Sequence, residues 1–282
     1  MPLTSWITTE ALTAGAWRCD GRHAEPAAEA GTLLLLPRGG TVVRRTDGRR
    51  ATVLPATALV TRPGEPLALA GAESGTGAGR SAPGPARATI VVLGAAGVPA
   101  PRASRVRALS PAALLAHYRL QRAEHAGWCD ALAREELTLE LAAAIVHDAP
   151  APPPGSTALR LAALDALAAV ADAPDGAPPS LGALARTTGT TPWALSRALR
   201  RLLGVPLREY LLRRRLAVAL DRLAADPARS LSAVAHDAGF ASHAHFTDAV
   251  RARWGMPPRA LIGRGAASAL LAAPPTRSAQ SL

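Results

Sequence analysis

One pattern occurs twice between residues 180 and 264, and it constrains what this chain can fold into more than any other feature. The first copy reads Ser180-Leu181-Gly182-Ala183-Leu184-Ala185, passes Gly189 and ends at Gly204-Val205-Pro206. The second reads Ser230-Leu231-Ser232-Ala233-Val234-Ala235, passes Gly239 and ends at Gly255-Met256-Pro257. The offset is 50 residues up to the inner glycines and 51 at the closing ones, so a single insertion separates the copies. Each predicts a short helix, a glycine turn and a second helix closed by a Gly-x-Pro stop. That is a helix-turn-helix in duplicate.

The residues at the breaks fit this reading. Ser180 and Ser230 suit N-caps, because a serine oxygen accepts from free amides of the first helical turn. Gly189 and Gly239 stand where the chain must reverse through a left-handed residue. Thr191-Pro192 restarts a helix, with threonine as cap and proline at the first helical position. In that helix Leu195, Ala198, Leu199 and Leu202 recur at core spacing. Trp193, Ser196, Arg197 and Arg200 recur at i, i+3, i+4 and i+7 on the opposite side. Such a face suits a major groove, where arginine pairs with guanine edges and apolar groups pack on thymine methyls. The second copy turns His243, Ala244, Thr247, Asp248 and Arg251 outward, with Phe246, Val250 and Trp254 as its core.

The segment resembles the duplicated DNA-binding domain of AraC-type (AraC/XylS) transcriptional regulators. The likeness includes that family's signature around the second unit, here Ala238-Gly239-Phe240-Ala241-Ser242-His243-Ala244-His245-Phe246. It covers about 85 contiguous residues, nearer 110 with a preceding helix. Asp248 departs from the pattern, since relatives often carry arginine there. The resemblance implies an operator in double-stranded DNA and an unknown small-molecule effector as partners, and it leaves contact with RNA polymerase open.

Charge supports a polyanion partner. The chain carries +11, and all 32 of its basic residues are arginine. Residues 180–264 hold 14 of them against five acids, so +9 of the +11 lies in the duplicated part. A GC-rich genome would explain an arginine-rich, alanine-rich composition, but not its concentration there. Cys19 and Cys129 lie far apart and form no CxxC, which points to buried free thiols in a reducing cytosol. The start lacks a basic segment followed by an apolar stretch of signal length, and the Leu33 to Leu36 run is far too short to span a membrane. The expectation is a cytoplasmic protein with no membrane partner.

Residues 1–94 predict β structure. Short apolar stretches (32–36, 41–45, 51–54, 58–61, 67–70 and 88–93) alternate with turn signals such as Asp47-Gly48 and Arg62-Pro63-Gly64-Glu65. Strands at this spacing suggest an antiparallel barrel or sandwich. Placed ahead of such a DNA-binding domain, the stretch resembles the family's cupin-type sensor barrel. Cys19-Asp20-Gly21-Arg22-His23 and Arg62-Pro63-Gly64-Glu65 are the nearest local matches. Residues 71–86, rich in Gly, Ala, Ser and Pro, read as a mobile loop. His23 is the one histidine in the first hundred residues, and one imidazole cannot assemble a typical first-row metal site. No metal or other cofactor, and no catalytic residue, is therefore expected.

Two helices follow. Ser110-Pro111 opens the first, with Leu114, Leu115, Tyr118 and Gln121 on successive turns. Asp130 caps the second, in which Leu132, Leu139 and Val146 repeat by sevens and Leu137, Leu141 and Ile145 by fours. Apolar over more than one stripe, that helix should be buried on two sides. The second cover is either this chain or the partner in a homodimer. The proline-rich 150–155 reads as a linker, and Ser156 to Asp172 as one helix. Leu207 to Ala225 predicts a longer helix that fixes the separation of the two units. Its Arg213, Arg214 and Arg215 either meet phosphates or form a solvated face.

The sequence thus predicts an α+β multidomain chain. Residues 1–100 form a cupin-like antiparallel barrel that senses an effector, and 101–149 a helical hairpin for coupling or dimerisation. Residues 150–155 link these to an all-α DNA-binding domain at 156–264 with two helix-turn-helix units, and 265–282 form a disordered tail. The expected function is sequence-specific transcription regulation without enzymatic activity. The rivals are a ligand-binding or catalytic cupin with an accessory DNA-binding domain, and a nonspecific architectural DNA binder.

Overall fold

A computed structural model describes residues 3–8, 12–19, 31–38, 42–46, 49–63, 68–71, 86–94, 105–126, 131–146, 156–173 and 178–262. Among these residues, nine strands come first: β1 (Leu3–Thr8), β2 (Leu12–Cys19), β3 (Gly31–Arg38), β4 (Val42–Thr46), β5 (Arg49–Val53), β6 (Thr57–Val60), β7 (Ala68–Gly71), β8 (Ala86–Gly94) and β9 (Arg105–Ala108). Nine helices follow, again among the described residues: α1 (Pro111–Ala126), α2 (Ala131–Val146), α3 (Thr157–Asp172), α4 (Leu181–Thr187), α5 (Pro192–Leu203), α6 (Leu207–Ala225), α7 (Leu231–Asp237), α8 (His243–Trp254) and α9 (Pro258–Ile262).

The strands form two antiparallel sheets. One is six-stranded in the order β1-β2-β8-β3-β6-β9, and the other is three-stranded in the order β5-β4-β7. Both are open, so the pairings among the described residues do not close a barrel. β3 lies centrally, with Leu34 opposite both Val91 of β8 and Val60 of β6. All eight of its residues are buried, which accounts for an unbroken Leu33 to Leu36 run where alternation would mark a half-exposed strand. Six of the strands coincide with the apolar stretches of the sequence. β1, β2 and β9 do not, and β2 and β9 owe their state to partners distant in sequence, β8 and β6. The loop expected at 71–86 lies outside the described residues except at its ends. So do His23, Cys129, Asp130, the 150–155 linker and the 265–282 tail.

One apolar cluster runs through both halves of the chain. It joins Leu34, Val60 and Val91 of the larger sheet to Leu114 of α1, Leu141 of α2, Leu167 of α3, Leu184 of α4, Leu199 of α5 and Tyr210 of α6. A second cluster surrounds α6, α7 and α8. Of the two sides of α2 expected to be buried, this chain covers one: Leu137, Leu141 and Ile145 are buried, and Val146 packs partly buried against the same cluster, while Leu132 and Leu139 are 67% and 49% exposed. No described helix is long and apolar enough to cross a membrane.

Candidate DNA-reading surface

The two helix-turn-helix units agree hydrogen bond by hydrogen bond. Ser180 Oγ accepts from the Ala183 amide at 3.1 Å, and Ser230 Oγ from the Ala233 amide at 3.2 Å. In the turns, the Gly189 amide donates to the Arg186 carbonyl and the Gly239 amide to the His236 carbonyl. One residue later, Thr190 donates to Ala185 and Phe240 to Ala235, each at 2.9 Å. Both inner glycines have positive φ, 62° and 78°. Nothing lies within 4 Å of the place a Gly189 side chain would occupy, so backbone conformation, not crowding, is what asks for glycine there.

Each second helix is also capped. Thr191 Oγ1 accepts from Ala194 at 3.2 Å, with Pro192 at the first position of α5. Ser242 Oγ accepts from His245 at 3.1 Å for α8, a cap the sequence reading did not single out although Ser-His follows the turn in the required place. The helices close at Gly204 and Gly255, whose amides donate to Arg200 and Arg251.

These frames set the outward faces. On α5, Leu195, Ala198, Leu199 and Leu203 are buried, while Leu202 is only partly so. Trp193 (68% exposed), Ser196, Arg197 and Arg200 face solvent together. The Arg197 guanidinium lies over the Trp193 ring, 4.5 Å from its centroid, so the pair stands as one planar, cationic projection. On α8, Phe246, Ala249 and Val250 are buried; His243, Ala244, Asp248 and Arg251 are exposed and Thr247 half-buried. His243 Nε2 sits 3.5 Å from Thr247 Oγ1, one turn along the same face. His245 turns away and meets Phe240 edge-on, 5.4 Å between centroids. The two imidazoles share no site. Asp248 has no ion-pair partner among the described residues and is exposed on this face.

One arginine of α6 departs from the sequence reading. Arg213 neither joins a solvated face nor points at phosphate. Its Nε bonds Glu209 at 2.9 Å, and its Nη1 donates to the Leu109 carbonyl at the end of the sheet, 2.8 Å away. Glu209 also takes Arg253 of α8 at 2.7 Å, so one carboxylate ties α6 to α8.

A buried polar chain at the junction of sheet, α1 and α6 was not foreseen. Arg38 Nε donates to Thr89 Oγ1 at 2.7 Å, and its guanidinium also pairs with Glu124. Thr89 Oγ1 lies 2.7 Å from His117 Nε2, and Gln121 Nε2 reaches both His117 (3.4 Å) and Asp221 Oδ1 (3.2 Å). Burial, reinforced by Arg38, pushes the His117 pKa down to about 3, so the ring is neutral and accepts from Thr89. Burial raises the Asp221 carboxyl, opposed by Arg87 and Arg38. A small pocket opens here, lined by Arg38, His117, Gln121 and Asp221 among apolar neighbours. The available signal was a histidine and a glutamine four residues apart, on the same side of α1. Among the described residues, no group of three or more His, Cys, Asp or Glu could hold a metal.

Two matched helix-turn-helix units joined by α6, each presenting an exposed polar helix face, in a chain that also carries an antiparallel sheet, mark a DNA-binding transcription regulator. Residues 184–264 match the family described as "Helix-turn-helix domain", and this segment is a helix-turn-helix domain of the AraC type. Among solved structures, unsaturated fatty acid-bound ToxT from Vibrio cholerae strain SCE256 aligns over 91% of this chain and 96% of its own, with 9% identity and a TM-score of 0.34. The AraC-like transcriptional activator CuxR aligns over 73% of this chain and 76% of its own, with 15% identity and a TM-score of 0.35. No curated protein matches the sequence.

Proposed function

We propose that this regulator reads a specific operator with both units and adjusts that binding through its N-terminal half, without catalysing a reaction. The observation that carries the reading is the pair of matched units with exposed, differently charged helix faces. Trp193, Ser196, Arg197 and Arg200 read one half-site; His243, Ala244, Thr247, Asp248 and Arg251 lie over the other. Two such helices on one rigid core should enter successive major-groove turns, roughly 34 Å apart. Residues 1–100 act as a cupin-like sensing unit for a small-molecule effector, 101–149 as the coupling hairpin, 150–155 as linker and 156–264 as the DNA-binding domain. The exposed Leu132 and Leu139 would face a second copy in a homodimer, and the protein would work in the cytoplasm, where it could meet RNA polymerase.

The test is to select genomic fragments with the purified full chain and footprint the best of them. Two protected major-groove segments on one side of the duplex, bound about a thousandfold or more over random DNA, are expected. Equal affinity for any duplex would make it an architectural binder instead.

A further inference from the structure

The core of the second helix-turn-helix unit is not completed by the second unit. Its apolar cluster contains Leu216, Leu220 and Leu223 of α6, Val234 of α7, Phe246 and Val250 of α8 and Leu261 of α9. To these it adds Leu115 and Tyr118, both buried and both from α1. Those two residues stand roughly a hundred positions or more upstream of the cluster's other members, and the whole first unit lies between them and the helices they cover.

Hydrogen bonds fix where α1 sits. The Trp254 indole Nε1, on the last residue of α8, donates to the Pro111 carbonyl at the start of α1, 2.9 Å away. The Tyr118 hydroxyl donates to the Leu261 carbonyl of α9 at 3.0 Å. Gln121, one turn further on, donates to Asp221 of α6. Three points along one face of α1 therefore hold the C-terminal end of the second recognition helix, the short helix after it and the long helix beneath it. The start of α1 is in turn bound to the sheet, because the Leu109 amide donates to the Ala56 carbonyl at 2.8 Å. The first unit packs elsewhere: its helices α3, α4 and α5 share the cluster that includes Leu34 of the sheet and Leu114 and Leu120 of α1, to which neither Leu115 nor Tyr118 belongs.

We propose that α1 is a positioning element for the second recognition helix, with Tyr118 and the Trp254–Pro111 bond setting how α8 lies against DNA. The aim of this half-site reader is thereby set by a helix continuous with the sensing sheet. Coupling that passes through α1 then acts on the half-site under α8.

The experiment uses the full chain and the tightest duplex it selects from a random library. A cleavage reagent tethered through Ala244→Cys assigns the half-site under α8. Affinities are then measured for the intact duplex and for duplexes with each half-site scrambled, in wild type, Tyr118→Phe and Trp254→Phe. Tyr118→Phe keeps the ring and deletes one buried hydrogen bond, so discrimination at the α8 half-site should fall about fivefold, with the other half-site unchanged. Val170→Ala, which thins the core under the first unit, serves as a control for plain destabilisation and should show no selective loss at the α8 half-site. Equal losses at both half-sites in Tyr118→Phe would overturn the proposal. So would unchanged discrimination accompanied by a lower Tm, since α1 would then support folding without aiming α8.

Discussion

Acidification offers a quantitative test of the buried chain at the sheet–α1–α6 junction. His117 is buried; its Nε2 accepts from Thr89 Oγ1, which itself accepts from Arg38, and Gln121 points an amide at the same nitrogen. Protonation would set a donor against two donors beside a guanidinium, in a poorly solvated place. The pKa of the ring falls from 6.5 to about 3 on folding. The unfolded chain therefore binds a proton that the folded chain refuses, and the folded state loses stability as pH drops below 6.5 and continues to lose it until about 3. At pH 5 the pH lies 1.5 units below the unfolded value, so the loss relative to neutral pH is about 2 kcal/mol. Asp221, whose carboxyl is raised, acts in the opposite sense and becomes more comfortable in acid. Glu124, Arg38 and Arg87 also bear on the cluster, so the slope of wild type alone is not diagnostic. The informative quantity is the difference between wild type and His117→Gln, whose side-chain oxygen can still accept from Thr89 and does not titrate. Denaturant midpoints at pH 7 and pH 5 should show wild type losing about 2 kcal/mol more than the variant. Equal losses in the two proteins would mean that the ring reaches solvent or takes the proton without penalty, and the burial argument would fail.

The other predictions concern DNA and backbone. Arg197→Ala should cost about 1–3 kcal/mol on the selected operator and relax preference at one base position, as read by binding to single-position operator variants; equal weakening on random DNA would remove Arg197 from the base readers. Asp248→Arg should raise affinity for all duplexes and change preference only in the half-site under α8, because an exposed carboxylate that repels phosphate is exchanged for a group that attracts it. Libraries randomised one half-site at a time would show this, and no change in either quantity would place Asp248 away from DNA. Ala56 is a buried non-glycine residue with φ of 63°, so Ala56→Gly should raise stability by about 1 kcal/mol. Gly189→Ala, at φ 62° with open space around it, should lower it by a similar amount, about 1 kcal/mol. Opposite shifts in the denaturant midpoint check both, and shifts of the same sign would refute the conformational account.

The duplicated units were readable in the sequence because their determinants are local. A serine cap, a glycine reversal and a Thr-Pro restart act within four or five residues, and each takes the predicted role at Ser180, Gly189 and Thr191. The ends of α6 and the start of α1 followed for the same reason. What escaped depends on partners far along the chain. β2 is a strand because β8 lies beside it, some 75 residues later. Arg213 reads as a solvated arginine until the Leu109 carbonyl and Glu209 are brought to it. His117 and Gln121 share one side of α1 and Arg119 lies on the opposite side, yet all three are buried, since α1 is covered on several sides and their polar atoms find partners on β8, α2 and α6. The exposed positions on α5 and α8 were legible from helical periodicity alone, whereas the stacking of Arg197 on Trp193 required side-chain geometry.

The long reach between Tyr118 and Leu261 has a bearing on how the chain comes to be folded in a cell. The hydrogen bond spans 143 residues, and the helix that supplies the hydroxyl leaves the ribosome well before the carbonyl that accepts it. At typical elongation speeds the interval is on the order of ten seconds. Until α6 and the helices after it emerge, Leu115 and Tyr118 have nothing of the α6–α9 cluster to pack against, and the nascent chain displays an apolar strip after its last strand. Chaperones that hold such strips have their natural opportunity in this window. Synonymous codon changes that slow translation across the second unit should lengthen it, leaving the amino-acid sequence untouched while raising the fraction of chains lost to aggregation.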